Sequence, residues 1–210
     1  MCEVLANPEL LMSLLTEIKT VVDDSFSNMT IDVDHLRHSC PLLVATWYEL
    51  LRTYGDAPVA RGVHENTVFD NKYQLEKGSI IMAPIHLHNF DRDIWGDDVE
   101  LFRPSRFLQK DGEINQELVK HLNVFGLPGM HQCPGRYIAL NLTIGLLAKS
   151  LLVFEFTPTP GGALGRGVVP ARKDTMLGLP ALRQDPTVIL KRRDGIQGVQ
   201  LLFNNVQPGW

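Results

Sequence analysis

The chain has 210 residues, a formal net charge of −4, and 44% hydrophobic against 21% charged residues. That balance excludes a disordered segment, and the mild acidity excludes the bulk basic character of a nucleic-acid-binding protein, so no nucleic-acid partner is expected. Three cysteines, Cys2, Cys40 and Cys133, are odd in number and far apart, which argues against a disulfide framework and for a reducing compartment.

The first residues show neither a basic region nor an apolar core, so no signal peptide is predicted. Asn7-Pro8-Glu9 is a helix start, with a capping side chain, proline at the first helical position and an early acid. Leu11, Leu14, Leu15, Ile18 and Val22 then recur on one helical face. Residues 23–28 break the pattern, Thr30 falls in a polar loop, and 31–38 is predicted as a short helix. Pro41 opens another helix that ends near Gly55. Residues 61–84 are predicted as a small antiparallel sheet, with strands at 67–69, 74–75 and 79–83 and a turn at Lys77-Gly78. Residues 86–107 are rich in loop signals, with one helical turn near 98–101, and Asp111-Gly112 marks a further turn. Residues 137–154 form a long apolar helix; Asn141, Thr143 and Lys149 interrupt it, so a buried helix is expected rather than a membrane span. Residues 157–167 are a surface loop dense in proline and glycine, and 187–192 and 198–203 are two strands joined by a turn at Asp194-Gly195. The fold class is mainly α with small antiparallel β-sheets.

Chemistry concentrates at Cys133, in the stretch Phe125-Gly126-Leu127-Pro128-Gly129-Met130-His131-Gln132-Cys133-Pro134-Gly135-Arg136. A cysteine between a tight loop and a helix N-terminus lies near backbone N–H groups and the positive dipole end, which favours thiolate. Gly129 and Gly135 would let a flat ligand come close to the backbone. Such a thiolate suits a nucleophile or an axial ligand of haem iron. A protease dyad with His131 fails on geometry: base and nucleophile would share one tight loop, with no Asn or Asp placed to orient the base. Glu49 and Arg52 stand three apart in a predicted helix and share a face; taken alone, such a pair is usually a solvated ion pair. His86-x-His88, with Asp91 and Asp93, would share a face as metal ligands if that segment were extended.

The acid–arginine pair Glu49/Arg52, then Phe102-Arg103-Pro104-Ser105-Arg106-Phe107, then the glycine-rich cysteine loop, in that order, resemble the cytochrome P-450 superfamily. The resemblance covers nearly the whole chain and suggests the carboxyl-terminal portion of that fold, as one domain over residues 1–210, without an oxygen-activating helix or an amino-terminal anchor. It implies haem b, its iron ligated by the Cys133 thiolate, with Pro134 and the following N–H groups tuning the sulfur. It places His131 and Arg61 on the haem propionates, with His88 or Asn89 near the same carboxylates, and Phe125, Gly129 and Gly135 against the macrocycle. Glu49, Arg52 and Arg106 would form a buried structural triad beneath the cysteine loop. Two departures stand out: Phe125 is eight residues before Cys133, one more than the family pattern, and Ser105 replaces the acid usual before Arg106. Apolar segments at 57–59 and 176–179 match pocket-lining positions of relatives and suit a lipophilic substrate.

The implied activity is that of a monooxygenase fed by an NADPH-cytochrome reductase, inserting one atom of O2 into a lipophilic small molecule, such as a fungal secondary metabolite or lipid. The nearest likeness is to the fungal microsomal type, in the branch of sterol 7-hydroxylase and prostacyclin synthase. A full-length relative would sit on the cytosolic face of the endoplasmic reticulum membrane; this chain, with no visible anchor, would be cytoplasmic. The alternative expectation is a truncated remnant without oxygenase activity.

Overall fold

The computed structural model describes residues 1–22, 28–56, 58–126, 132–169, 186–196 and 198–203. Its amino-terminal half runs α1 (Cys2–Ala6), α2 (Pro8–Lys19), β1 (Asn28–Asp32), α3 (Val33–Ser39), α4 (Pro41–Tyr54), then strands β2 (Val59–Gly62), β3 (Thr67–Phe69), β4 (Tyr73–Leu75) and β5 (Ile80–Ala83). The short helices α5 (Ile85–Asn89) and α6 (Arg92–Trp95) follow, then a 3-10 turn at Pro104–Phe107, α7 (Gln116–Val119) and the long α8 (Arg136–Val153). The chain closes with β6 (Phe154–Pro158), a 3-10 turn at Leu164–Arg166, β7 (Val188–Arg192) and β8 (Gly198–Leu202).

Local chemistry sets the helix ends. The Asn7 side chain accepts a hydrogen bond from the Leu10 N–H at 3.0 Å, and Pro8 occupies the first turn of α2. Asp32 caps α3, accepting from Asp34 N–H at 2.9 Å, so the helix starts after Ile31 rather than at it. At the start of α4 the cap comes from α2: the two Glu17 carboxylate oxygens accept from Leu42 and Leu43 N–H at 2.8 and 2.9 Å. Burial pushes the Glu17 carboxyl up, and these two N–H groups partly reverse that shift.

The main core packs α2, α3, α4 and α8 around Leu14, Ile18, Leu36, Leu43, Ile144 and Leu151. A smaller core of Ala45, Trp95, Val99 and Phe107 lies where α4 meets the 3-10 turn at Pro104–Phe107.

The sheets correct several sequence expectations. The last two strands do not form a hairpin with each other: β7 pairs antiparallel with β6, and β8 pairs in parallel with β1, Ile31 opposite Leu201. The parallel pair buries Ile31 and Val199 in the main core, and burial decided the partner over proximity in sequence. Thr30 therefore sits in a strand rather than a polar loop, and 157–158 belong to β6 rather than to the surface loop. The region expected as one antiparallel sheet is two separate antiparallel pairs: β3 pairs with β4, and β5 pairs with β2 rather than across the Lys77-Gly78 turn with β4.

α8 is long and apolar enough, by length and composition, to cross a membrane. It packs instead against α3, α4 and β8 through Leu140, Ile144, Ala148 and Leu151. Its opposite stripe stays open, with Ile138 53%, Leu142 45% and Leu146 54% exposed.

Candidate functional site

Glu49 and Arg52 are both 0% exposed. Arg52 grips the carboxylate with a fork, Nε to Oε2 and Nη2 to Oε1, each at 2.8 Å. Its remaining N–H groups reach the carbonyls of Asn89 at 2.9 Å and Leu101 at 3.3 Å. The guanidinium lies over the Phe90 and Trp95 rings, 5.3 and 5.8 Å from their centroids. One arginine on α4 thus ties three separate segments together, with charge-assisted bonds in a dry setting where they are strong.

Arg106 enters from the 3-10 turn, also buried, with Nε 3.6 Å from Glu49 Oε1. That distance is an ion pair without a hydrogen bond, and Arg106 Nε has no hydrogen-bond partner. Arg106 is held instead by Asp98: Nη1 to Oδ1 at 2.7 Å, Nη2 to the Asp98 carbonyl at 3.0 Å, with a further contact to the Trp95 carbonyl. Glu49 Oε1 also accepts the backbone N–H of Arg103 at 2.8 Å.

Cys133 is free and exposed, three residues before α8 and two before the helix cap Gly135. Its N–H donates to the Phe125 carbonyl at 2.8 Å, which closes the loop from its two ends. The Phe125 ring lies 6.4 Å from Trp47 of α4. Arg136 Nη1 donates to the Cys133 carbonyl at 3.0 Å, and its guanidinium stacks on Tyr137. A Cβ at Gly135 would stand 3.7 Å from Cys133 Sγ, so the sulfur lies directly against the cap. Gly129 and His131 fall outside the described residues, as do Ala57 and 176–179.

Arg61 is exposed on β2, and its guanidinium donates to the neighbouring Ala60 carbonyl at 2.9 Å. The paired-histidine expectation is corrected: residues 85–89 are helical, so His86 and His88 diverge instead of sharing a face. The His86 ring packs against Phe90 at a tilt, centroids 4.6 Å apart, and His88 Nε2 meets the His121 carbonyl at 2.8 Å. Asn89 is buried and donates to the Gly55 carbonyl at 3.1 Å. Among the described residues, no group of three or more His, Cys, Asp and Glu could hold a metal ion.

Gly55 is a site residue that sequence reasoning missed. A Cβ there would overlap Val124, on the segment entering the cysteine loop, and crowd the Leu51 carbonyl. Gly55→Ala should therefore lower stability by about 1–3 kcal/mol, as overpacking does, and shift the near-ultraviolet signal of Trp47 beside Phe125. An unchanged unfolding midpoint and spectrum would contradict the close approach.

Two of the thiols, Cys40 and Cys133, also separate chemically. Burial, with the Glu17 charge behind it, pushes the Cys40 thiol up to about 12. At pH 8 Cys40 stays a buried, inert thiol, whereas Cys133 is open. Brief iodoacetamide treatment of native protein should label Cys133 well before Cys40 in peptide mass spectra; equal labelling would contradict this arrangement.

The sequence model described as Cytochrome P450 matches residues 1–168, most of the chain. The chain belongs to the cytochrome P450 family. It is 28% identical over 165 residues to a cytochrome P450 monooxygenase of Gibberella zeae, covering 75% of this chain and 31% of that protein. It is 27% identical over 169 residues to the cytochrome P450 monooxygenase nodJ of Hypoxylon pulicicidum, covering 76% and 33%. Cytochrome P450 1A1 of Cavia porcellus is 29% identical over 158 residues, covering 74% and 29%. The chain spans about a third of the length of these curated relatives. Its helices and two-stranded sheets match part of the P450 fold.

The P450 family implies a haem bound through a cysteine thiolate, and the residues present fit one. The Cys133 sulfur is free and open, with an unsubstituted glycine against it.

Proposed function

We propose that this chain is the haem-binding part of a haem-thiolate monooxygenase, acting in the whole protein to insert one atom of O2 into a lipophilic substrate. The supporting observation is the free, exposed Cys133 thiol at the head of α8, in a P450 chain with a buried Glu49–Arg52 fork on α4. Haem b held by Cys133 would supply the redox iron, its electronics set by the thiolate. The Phe125 carbonyl holds the cysteine N–H, and Arg136 holds its carbonyl, so both sides of the ligand's backbone are fixed. Gly129, Gly135 and Phe125 face the macrocycle in this reading, and Arg61 and His131 neutralise its propionates. Glu49, Arg52 and Arg106 act structurally, as the rigid base of the loop. Electrons come from an NADPH-cytochrome reductase on the cytosolic face of the endoplasmic reticulum. The substrate proposed is a fungal secondary metabolite or lipid, and the branch proposed is that of sterol 7-hydroxylase and prostacyclin synthase.

The exposure of Cys133 and of the Ile138, Leu142 and Leu146 stripe favours a second reading of the 210 residues alone. A haem here would face water, and a dry reaction pocket is needed to couple electron delivery to product. Purified chain supplied with haem, reductase, NADPH and a lipophilic panel should take up haem and consume NADPH without oxygenated product. Failure to take up haem would contradict the first reading; stoichiometric product would contradict the second.

A further inference from the structure

We propose that Asp98 is the second carboxylate of the buried arginine cluster, a positioning residue that neutralises Arg106 and sets it against Glu49. This deepens the structural reading of Glu49, Arg52 and Arg106, because Glu49 alone cannot balance two guanidiniums. Its Oε2 is taken by Arg52 Nε, and its Oε1 by Arg52 Nη2 and the Arg103 N–H. Arg106 reaches it only at 3.6 Å, with Nε left unbonded. A buried cation without a bonded counter-charge is strongly destabilising, so a second anion is needed. Asp98 supplies it. Its Oδ1 lies 2.7 Å from Arg106 Nη1, and its Oδ2 lies 2.6 Å from Arg103 Nε.

The arrangement closes a ring. Arg103 gives its backbone N–H to Glu49 and its side chain to Asp98, while Arg106 spans from Asp98 to Glu49. Ser105, the residue beside Arg106, is exposed and neutral and supplies no charge. Asp98 is 31% exposed and Arg103 49%, so the outer half of the ring is wet; the inner half, Arg106 at 3%, is dry. The weight therefore falls on the Asp98–Arg106 contact, and the Asp98–Arg103 pair is worth less.

The Arg106 hydrogen bond, with lesser help from Arg103, holds the Asp98 carboxyl below its usual range. A carboxyl depressed in the folded state contributes stability above its unfolded pKa, about 3.9, and loses it as pH falls through the folded value. The charged groups facing Asp98 are Arg103 and Arg106, with Glu49 behind Arg106.

The test compares Asp98→Asn, Asp98→Glu and the adjacent exposed control Asp97→Asn by thermal unfolding between pH 7 and about pH 2.5. Asp98→Asn should lower the pH 7 midpoint by roughly 4 °C or more and flatten the acid limb of the profile. Asp98→Glu should keep that limb and part of the midpoint, and Asp97→Asn should change neither. If Asp98→Asn gives no folded protein while Asp98→Glu does, charge is again the discriminating property. A wild-type midpoint and acid limb in Asp98→Asn would overturn the proposal, as would equal loss in Asp98→Asn and Asp98→Glu. The readout is unfolding, so it stands apart from haem ligation, whose failure would appear in the spectrum of the wild-type protein.

Discussion

Arg52→Lys should lower stability by about 1.5–3 kcal/mol for each charge-assisted hydrogen bond to Glu49 that it leaves unmade. Lysine keeps the charge, so the loss isolates the value of the planar fork. An ammonium cannot give parallel bonds to both Glu49 oxygens while also reaching the Asn89 and Leu101 carbonyls. It would also weaken the cation–π contacts to Phe90 and Trp95. Glu49→Gln should be at least as damaging, since it leaves Arg52 and Arg106 without their shared anion and turns a donor toward them. Both variants should show reduced soluble yield and reduced haem loading together, not a selective drop in turnover. The check is chemical denaturation of each variant beside wild type. A midpoint unchanged in Arg52→Lys would mean that the two side chains behave as a solvated surface pair.

Much of this cluster is visible in the sequence because it is local. Glu49 and Arg52 stand at i and i+3, so once the helix opened by Pro41 is recognised, their shared face follows from helical geometry. The cap at Asn7, the end of α4 at Gly55 and the turn at Gly78 are likewise set by residues within a few positions of each other. Their chemistry acts at the range over which sequence spacing is informative.

Asp98 is different. It lies eight residues before Arg106 across irregular backbone, where no periodicity says which side chains meet. The Gly55–Val124 approach and the Glu17 cap on α4 join residues far apart in the chain, and only packing reveals them. The pairing of β8 with β1 belongs to the same class: a turn at Asp194-Gly195 is a local signal, but the choice of partner strand is made by burial of Ile31 and Val199. His86 and His88 show how one local assignment governs a site. Two residues apart, they share a face on a strand and diverge on a helix, and the helix removes the metal reading. At the cysteine loop the Phe125 carbonyl accepts the Cys133 N–H, so the loop is closed at its ends.

Cys133→Ala should have the largest effect of any single substitution on cofactor chemistry and a small effect on folding. The side chain is exposed, so its removal opens no cavity in either core. The loop is closed by the backbone bond from residue 133 to Phe125, which alanine retains, and by the Arg136 contact to the same residue's carbonyl. Thiolate ligation cannot be supplied by Cys40, which is buried in the main core with its thiol pushed up to about 12. Cys2 lies on α1, outside the cysteine loop. Alanine at either of those positions should leave the haem signal in place.

The most direct measurement is the difference spectrum of reduced, haem-reconstituted protein with and without carbon monoxide, for wild type and Cys133→Ala. Wild type should give the red-shifted Soret band of thiolate-ligated iron, and Cys133→Ala should lack it while unfolding at the wild-type midpoint. A thiolate band that persists unchanged in Cys133→Ala, or that never forms in the folded wild-type protein, would contradict Cys133 as the iron ligand.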